Sequence, residues 1–136
     1  MTIPITYKAA NAYLDLLTMG QPVPNWKTYL GLSTTAPNRD GSGYTEPDAS
    51  VGYGRAGLNA APLRKMKFAN LGASTNEDTI FFPEATASWG KITYFLIFDA
   101  EKEGNLLAYG PLDDPITPSK GKVPIIRTEN ITITMR

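Results

Sequence analysis

Residues 91–100 read Lys-Ile-Thr-Tyr-Phe-Leu-Ile-Phe-Asp-Ala, and this stretch decides the fold class. In an extended chain, successive side chains point to opposite faces of the sheet. Apolar side chains then occupy both faces, with one face carrying Ile92, Tyr94, Leu96 and Phe98 and the other carrying Phe95 and Ile97. A strand that is apolar on both faces is typical of the centre of a sheet, so we predict a central strand here.

Shorter segments on both sides of this stretch predict further strands. Alternating or brief apolar runs occur at 26–33, 63–69, 80–82, 106–109, 123–127 and 130–135. Stretches rich in Gly and Pro, at 35–51 and 111–121, predict long loops between them. About seven strands separated by turns are typical of an antiparallel β-sandwich, and a chain of 136 residues is the size of one domain, so we expect a single, mainly β domain over 1–136.

One helix is predicted at the N-terminal end, over residues 6–19. Apolar residues recur there at helical spacing, namely Ile5, Ala9, Ala12, Tyr13, Leu16 and Leu17. Thr6 is suited to the N-cap, and Gly20 followed by Pro22 predicts the end. We expect this apolar stripe to dock onto the core of the domain; the alternative is that the helix is offered to a partner subunit.

Composition excludes several classes of function. The 13 basic and 13 acidic residues cancel and form no long run of one sign, so the chain lacks the positive field that nucleic-acid binding requires. Without Cys, neither a disulfide framework nor a thiolate metal site can form. No run of about 18 apolar residues predicts a membrane span, and residues 1–8 do not resemble an export signal. We therefore expect neither a nucleic acid nor a membrane as a partner.

Catalytic and metal-binding patterns are weak. The chain has no His and no Cys, so the commonest general base and the best thiol nucleophile are missing. The adjacent Asp113 and Asp114 lie in a Pro-rich stretch, where solvated charge is the expected role. Acidic residues at 99, 101 and 103 followed by Gly104 mimic half of a calcium loop, but Gly110 stands where its bidentate Glu should be. We expect a hairpin there, and neither an enzyme, a metal nor a cofactor.

Several short motifs, in order along most of the chain, carry a resemblance to a known family. The segments are 11–17 (Asn-Ala-Tyr-Leu-Asp-Leu-Leu), 30–37 (Leu-Gly-Leu-Ser-Thr-Thr-Ala-Pro), 45–47, 52–55 (Gly-Tyr-Gly-Arg), 82–86 (Phe-Pro-Glu-Ala-Thr), 88–90 (Ser-Trp-Gly), 97–100, 104–107 and Gly110. In this order they resemble small tail-fibre-like virion structural proteins of tailed bacteriophages and prophages. The resemblance implies a β-sandwich-like part of a virion, made in the cytoplasm of the bacterial host.

We expect a noncatalytic, homo-oligomeric structural component, associated with the tail fibre or tail tip, whose partners are copies of itself and other virion proteins. A head decoration or head-fibre protein is the alternative within the same class. From another class, a carbohydrate-binding module would recognise polysaccharide of the host surface through loop aromatics. These alternatives stay open at the level of the sequence.

Two groups of candidate residues follow. The motif residues expected to shape the scaffold are Gly52, Tyr53, Arg55, Trp89, Gly90, Asp99 and Gly104. The candidate contact residues are Trp26, Tyr44 and Trp89. For Tyr53 and Trp89 the favoured role is to cap the core, with the polar atom bonded to backbone. Arg55 is expected to brace the long loop through carbonyls or through an acid such as Glu46 or Asp48.

Overall fold

A four-stranded antiparallel sheet forms the centre of the fold. The structure, a computed structural model, describes residues 5–23, 27–58, 73–76, 78–127 and 130–134. The central sheet has the strand order β2 (Ala56–Gly57), β1 (Tyr29–Ser33), β5 (Ile92–Phe98) and β6 (Leu106–Ile116). There are also two short antiparallel ribbons, β3 (Ala73–Thr75) with β8 (Thr132–Thr134) and β4 (Ile80–Phe81) with β7 (Ile125–Ile126). The other described elements are the helix α1 (Tyr7–Met19) and a 3-10 turn at Ala49–Val51. The predicted mainly β, antiparallel class with one N-terminal helix is confirmed.

The predicted central strand is β5, which pairs with β1 on one side and β6 on the other. Its two faces are both buried, as the sequence indicated. Phe95 and Ile97 lie in the main hydrophobic core, whereas Leu96 and Phe98 lie in a smaller cluster on the opposite face.

Ile92 is the exception to the predicted alternation in β5. The sequence pattern placed it on the face of Leu96 and Phe98, but it packs in the main core with Phe95. The pairing with β6 shifts register between Ile92 and Tyr94. The regular ladder is interrupted between these two residues, with the extra residues on β6, so the alternation counted along the paired part of β5 does not extend to Ile92. The predicted facing of Ile92 is therefore wrong.

Strand β6 is longer than predicted. We expected a return strand at 106–109 and a loop from Pro111, but β6 continues through Pro111 to Ile116. Pro111 has no N–H to donate, and proline is tolerated in a strand at the edge of a sheet. Strand β6 occupies such an edge position in the central sheet, so the predicted start of this loop is wrong.

The two short ribbons contribute residues to the main hydrophobic core. Ile80 of β4 and Ile126 of β7 are buried, as is Ile131 beside β8, in the cluster that includes Phe95. The predicted strands at 80–82, 123–127 and 130–135 correspond to β4, β7 and β8. Strands β4 and β7 are shorter than predicted, β8 begins two residues later, and residue 135 lies outside the described residues. The predicted strand at 63–69 and the start of the one at 26–33 lie outside the described residues.

Helix α1 has the predicted ends. The Thr6 hydroxyl accepts a hydrogen bond from the Ala9 N–H at 3.5 Å, and Gly20 closes the helix in the left-handed conformation at φ 66°. Thr6 also fixes the start of the helix to the edge of the central sheet. Its backbone N–H donates to the carbonyl of Leu107 at 2.9 Å, and its hydroxyl donates to that of Leu106 at 2.8 Å.

The packing of α1 differs from the prediction. Ile5 and Ala9 are buried, but Leu16 is 47% exposed and Leu17 is 81% exposed. The expectation that the stripe docks onto the core is correct for the first turn and wrong for the last two turns.

Candidate functional site

A cluster of three polar side chains, Glu46, Tyr53 and Arg55, joins the long loop to the central sheet. We call it the Glu46 cluster. The Glu46 carboxylate accepts hydrogen bonds from the Arg55 guanidinium at 2.8 and 3.0 Å and a short one from the Tyr53 hydroxyl. The same Tyr53 oxygen accepts from the Leu32 N–H of β1 at 3.0 Å. The Arg55 side chain is only 5% exposed, so this ion pair is largely withdrawn from water.

Arg55 extends the Glu46 cluster to the β5–β6 hairpin. Its Nη1 donates to the carbonyls of Ala100 at 2.8 Å and Glu103 at 2.7 Å. The guanidinium also lies 3.4 Å from the centre of the Phe98 ring, in a cation–π contact. The sequence led us to expect carbonyls or an acid such as Glu46 or Asp48 as the partners of Arg55, and the structure places it on two hairpin carbonyls and on Glu46.

Gly31 of β1 provides the space for the Glu46 cluster. A Cβ at this position would lie 2.9 Å from the Tyr53 hydroxyl oxygen, 3.0 Å from a Glu46 carboxylate oxygen and 3.1 Å from the Phe98 ring. Such contacts are too close, so a side chain here would displace the cluster. Sequence reasoning missed this role, because a glycine within a strand shows only that something approaches closely and not what does.

Burial and charge explain the protonation states in the Glu46 cluster. Burial, assisted by the Glu46 charge and hydrogen bond, raises the pKa of Tyr53 well above its ordinary value. Burial opposes the charge on Arg55, but the bonds and charge of Glu46 outweigh it and raise the pKa of Arg55. Tyr53 is therefore a neutral donor and Arg55 a permanent cation at neutral pH.

Trp89 closes the core beside this cluster. Its ring meets Tyr53 edge-on at 5.2 Å between ring centres, and its indole N–H donates to the carbonyl of Val51 at 2.8 Å. Gly52 follows in the left-handed conformation, where a Cβ would lie 2.5 Å from the Glu84 carbonyl oxygen. Gly90 also has positive φ, and its N–H donates to the Ser88 hydroxyl. Thus Gly52, Trp89 and Gly90 join the loop end to the start of β5.

Asp99 and Gly104 form the turn of the β5–β6 hairpin. The Asp99 carboxylate accepts hydrogen bonds from the backbone N–H of Asn105 at 2.7 Å and from its side chain at 2.9 Å. Burial opposes the charge, but these bonds lower the pKa of Asp99 below its ordinary value. Gly104 has φ 75°, and a Cβ there would collide with Asp99. The predicted hairpin is present, and Asp99 serves its turn.

The predicted long loop is held at both ends and in its middle. The buried Ser33 hydroxyl accepts from the N–H groups of Thr35 at 3.1 Å and Thr45 at 2.9 Å. Farther along, the Arg39 carbonyl accepts from the Tyr7 N–H of α1 at 2.9 Å, and the Arg39 guanidinium lies over the Tyr7 ring. The loop therefore ties the first turn of the helix to the sheet.

The candidate contact residues are separated by the fold. Trp89 is 4% exposed, so its faces are not available for stacking on a ligand, and Trp26 lies outside the described residues. Tyr44 is half-buried and meets Phe98 edge-on. It also lines a small polar recess of about 140 Å³ together with Asp40 and Asn105. Of the three candidates, Tyr44 alone is described at an accessible position.

The remaining polar groups show no catalytic arrangement within the described residues. Asp113 and Asp114 are exposed on β6. The backbone of Asp114 exchanges hydrogen bonds with the Asn130 side chain, at 2.7 and 3.2 Å. A shallow groove of about 430 Å³ lies beside them and is lined mainly by proline and isoleucine. In the described part of the chain, no three acidic residues come together as ligands for a metal ion.

Comparison with known proteins gives one positive finding. The family described as "Podophage GP4 fiber I protein gp80" matches residues 4–134. No curated protein matches the chain. Among the described residues, no helix has the length and apolar character needed to cross a bilayer. The family match includes the Glu46 cluster, the hairpin and α1, so it concerns the whole fold and not a single motif.

Proposed function

This chain belongs to the podophage GP4 fibre I protein gp80 family, and on that premise we propose that it is a tail-associated fibre component that works in several copies and performs no reaction. The family makes it a fibre component of a phage virion and favours a structural role over an enzymatic one. We further propose that it lies at the tail fibre or tail tip and that it contacts other proteins there. Those partners are copies of itself and other virion proteins.

The observation that supports a structural role is the way polar groups are used. In the described residues, every buried side-chain nitrogen or oxygen has a hydrogen-bond partner within the protein. Glu46, Tyr53 and Arg55 bond to each other and to backbone groups of β1 and the hairpin. Catalytic sites instead keep charged groups poised toward a substrate. Here the largely buried charges of Arg55 and Glu46 bond to each other and hold the loop in place.

A particle-level experiment tests the proposal. Antibody raised against the purified chain and coupled to gold would be applied to purified virions of the phage that encodes it. We expect label on the tail, with protein present at many copies per particle by quantitative mass spectrometry. Label on the head would contradict the tail role and support the head-decoration alternative. Absence of the protein from washed virions would contradict a virion role of either kind.

A second candidate function is carbohydrate recognition at the Tyr44 recess. An accessible aromatic ring beside a carboxylate and an amide is a common composition for binding a sugar. Replacement of Tyr44 by Ala would abolish binding to host-surface glycans if this function is correct, whereas Trp89→Phe would not affect it because Trp89 is buried. Wild-type protein that binds no host polysaccharide would contradict the candidate.

A further inference from the structure

The Tyr44 recess lies where three parts of the molecule meet. Its walls come from the first turn of α1, from the long loop and from the turn of the β5–β6 hairpin. Hydrogen bonds within the protein fix each of these parts. The Tyr7 N–H of α1 donates to the carbonyl of Arg39 in the loop at 2.9 Å, and Asn105 donates to the Asp99 carboxylate from its backbone and its side chain. The recess is therefore preformed, which lowers the cost of ordering it around a ligand.

Two acceptor groups on these walls have spare hydrogen-bonding capacity. The Asp40 Oδ1 accepts from the hydroxyl of Ser42 at 2.6 Å and from its N–H at 2.9 Å, whereas Oδ2 accepts from no described residue. These bonds hold the pKa of Asp40 below its ordinary value, so it is a carboxylate at neutral pH. The Asn105 side chain donates to Asp99 at 2.9 Å, and within the described residues its carbonyl oxygen accepts nothing. A carboxylate oxygen and an amide oxygen are thus left as acceptors.

A cation and an aromatic ring complete the walls. The exposed Lys8 ammonium forms no ion pair or hydrogen bond with the described part of the chain. The Tyr44 ring meets Phe98 edge-on at 5.3 Å between ring centres, which holds it in position. Two further wall residues, Gly41 and Gly104, have no side chain that could fill the space. The recess therefore combines a donor, two acceptors and an aromatic surface.

We propose that the Tyr44 recess binds one neutral sugar ring at the end of a host-surface polysaccharide. Ring hydroxyls donate to Asp40 and Asn105 and accept from Lys8, and the C–H groups of the ring pack against Tyr44. The inference rests on the second candidate function, carbohydrate recognition. It adds which side chains make the site and which class of sugar they select.

The chemistry of the walls is the reason for a sugar. A hydroxyl both donates and accepts, so the several hydroxyls of one ring can satisfy Asp40, Asn105 and Lys8 together. The C–H groups of the same ring form an apolar surface that suits an aromatic side chain. An apolar ligand would instead leave the three polar groups without partners, which costs free energy relative to water.

Size and charge narrow the ligand further. The recess measures about 140 Å³, whereas pockets for drug-sized molecules measure about 300–1,000 Å³. It therefore has room for one ring at the end of a glycan and not for a stretch of several. Lys8 and Asp40 are the two charged residues among those that line it, and their charges cancel. A charged ring gains at one of them what it loses at the other and also loses hydration, so a neutral ring is favoured.

Titration of the isotope-labelled full chain with simple sugars, followed by NMR, tests the site. The probes are the methyl glycosides of glucose, galactose and mannose, with methyl glucuronide and protonated methyl glucosaminide as charged counterparts. At least one neutral glycoside is expected to shift the amide signals of Gly41, Tyr44 and Asn105, and to bind several-fold more tightly than both charged probes. Unmoved signals with every neutral glycoside, or tighter binding of a charged probe, would overturn the assignment.

Substitutions separate the recess from the rest of the surface. Lys8→Met and Asp40→Asn each remove a charged partner and are expected to raise the Kd of the neutral glycoside about tenfold. Tyr44→Ala is expected to abolish detectable binding. The matched controls are Lys102→Met and Asp113→Asn, which remove the same charges at exposed positions outside the recess and should bind as the wild type does. The NMR spectra verify that each variant is folded, and recess variants that bind as tightly as their controls would overturn the inference.

Binding to intact host polysaccharide distinguishes this inference from the functions on which it builds. Loss of binding in Tyr44→Ala, but not in Lys8→Met or Asp40→Asn, would overturn the assigned sugar contacts and leave carbohydrate recognition at Tyr44 standing. A wild-type chain that binds no host polysaccharide would contradict both. Neither result depends on where antibody labels the virion, so the structural role is tested separately.

Discussion

The long loop and the helix α1 make an instructive comparison, because the less regular of the two is the better anchored. Between 34 and 55 the chain has one turn of 3-10 helix and no strand, but the Glu46 cluster and Ser33 tie it to β1, β5 and the hairpin. Helix α1 has regular geometry and good caps, but its last two turns leave large apolar side chains exposed. Regular backbone geometry and tertiary anchoring are therefore separate properties.

The physical reason for the difference lies in where the hydrogen bonds go. A helix satisfies its backbone groups internally, so it can extend past the body of the domain at little cost. An irregular loop cannot do this and must find partners elsewhere. In this chain those partners include the Ser33 hydroxyl, the Trp89 indole N–H and the Tyr7 N–H. The Glu46 cluster adds side-chain bonds that hold the loop to β1 and the hairpin. The comparison predicts large effects from changes at the loop anchor and small effects from changes at the helix end.

The largest expected effect is that of Arg55→Ala. Removing the guanidinium leaves the Glu46 carboxylate without its counter-ion and frees two hairpin carbonyls, which is expected to lower the free energy of unfolding by about 3–5 kcal/mol. Urea unfolding followed by circular dichroism would measure the change. Lys102→Ala, at an exposed position of the same hairpin, should change stability little. Equal values for the two variants would mean that the Glu46 cluster does not anchor the loop.

A smaller loss is expected from Gly31→Ala. The added methyl would meet the Tyr53 and Glu46 oxygens at about 3 Å, and overpacking of this kind costs about 1–3 kcal/mol. Gly54→Ala is the matched control, since its Cβ would make an ordinary contact at 3.5 Å with Pro83. Equal stability of the two variants would contradict the close packing of the cluster on β1.

The third effect in size is a loss of stability at alkaline pH, caused by the Tyr53 phenol of the Glu46 cluster. The pKa of Tyr53 is raised in the folded protein, so above about pH 10 the unfolded chain loses a proton that the folded chain retains. Stability is therefore present below that pH and falls above it, by up to about 1.4 kcal/mol per pH unit from this group. Urea unfolding between pH 8 and 11 would show a shallower decline for Tyr53→Phe. An unchanged slope in that variant would contradict the burial of the phenol.

The smallest effect is expected at the helix end. Leu17→Ala should change the free energy of unfolding by less than about 0.5 kcal/mol, because this side chain is 81% exposed. Thr6→Ala at the other end removes the N-cap and should cost about 1 kcal/mol. Thermal unfolding of both variants would test the order. A larger loss for Leu17→Ala would show that the helix end packs within the monomer.

Local sequence patterns were enough to predict several features of the fold. The ends of α1 followed from Thr6 and Gly20, because caps act within one turn. The central position of β5 followed from its two apolar faces, and the pairing of Arg55 with an acid was among the expectations. The facing of Ile92, by contrast, depends on a register shift against a strand more than ten residues away. No local pattern carries that information.

The site was less predictable than the fold. That Gly31 underlies the cluster depends on which loop folds back over β1. The exposure of Leu16 and Leu17 was not predicted, because a helical stripe shows which side of a helix is apolar and not how much of that side other residues cover. Trp89 was predicted both as a core residue and as a contact residue. Because it is 4% exposed, it is a core residue.

Native-state hydrogen exchange compares the two regions most directly. We predict that the loop amides of Thr35 and Thr45, which both donate to the Ser33 hydroxyl, exchange only through openings close in free energy to global unfolding. Amides at 17–19, in the last turn of α1, should exchange through far easier local opening in the monomer. The reverse order, with the loop amides unprotected and the helix end protected, would contradict the claim that the irregular loop is the rigid part and the helix end is the free one.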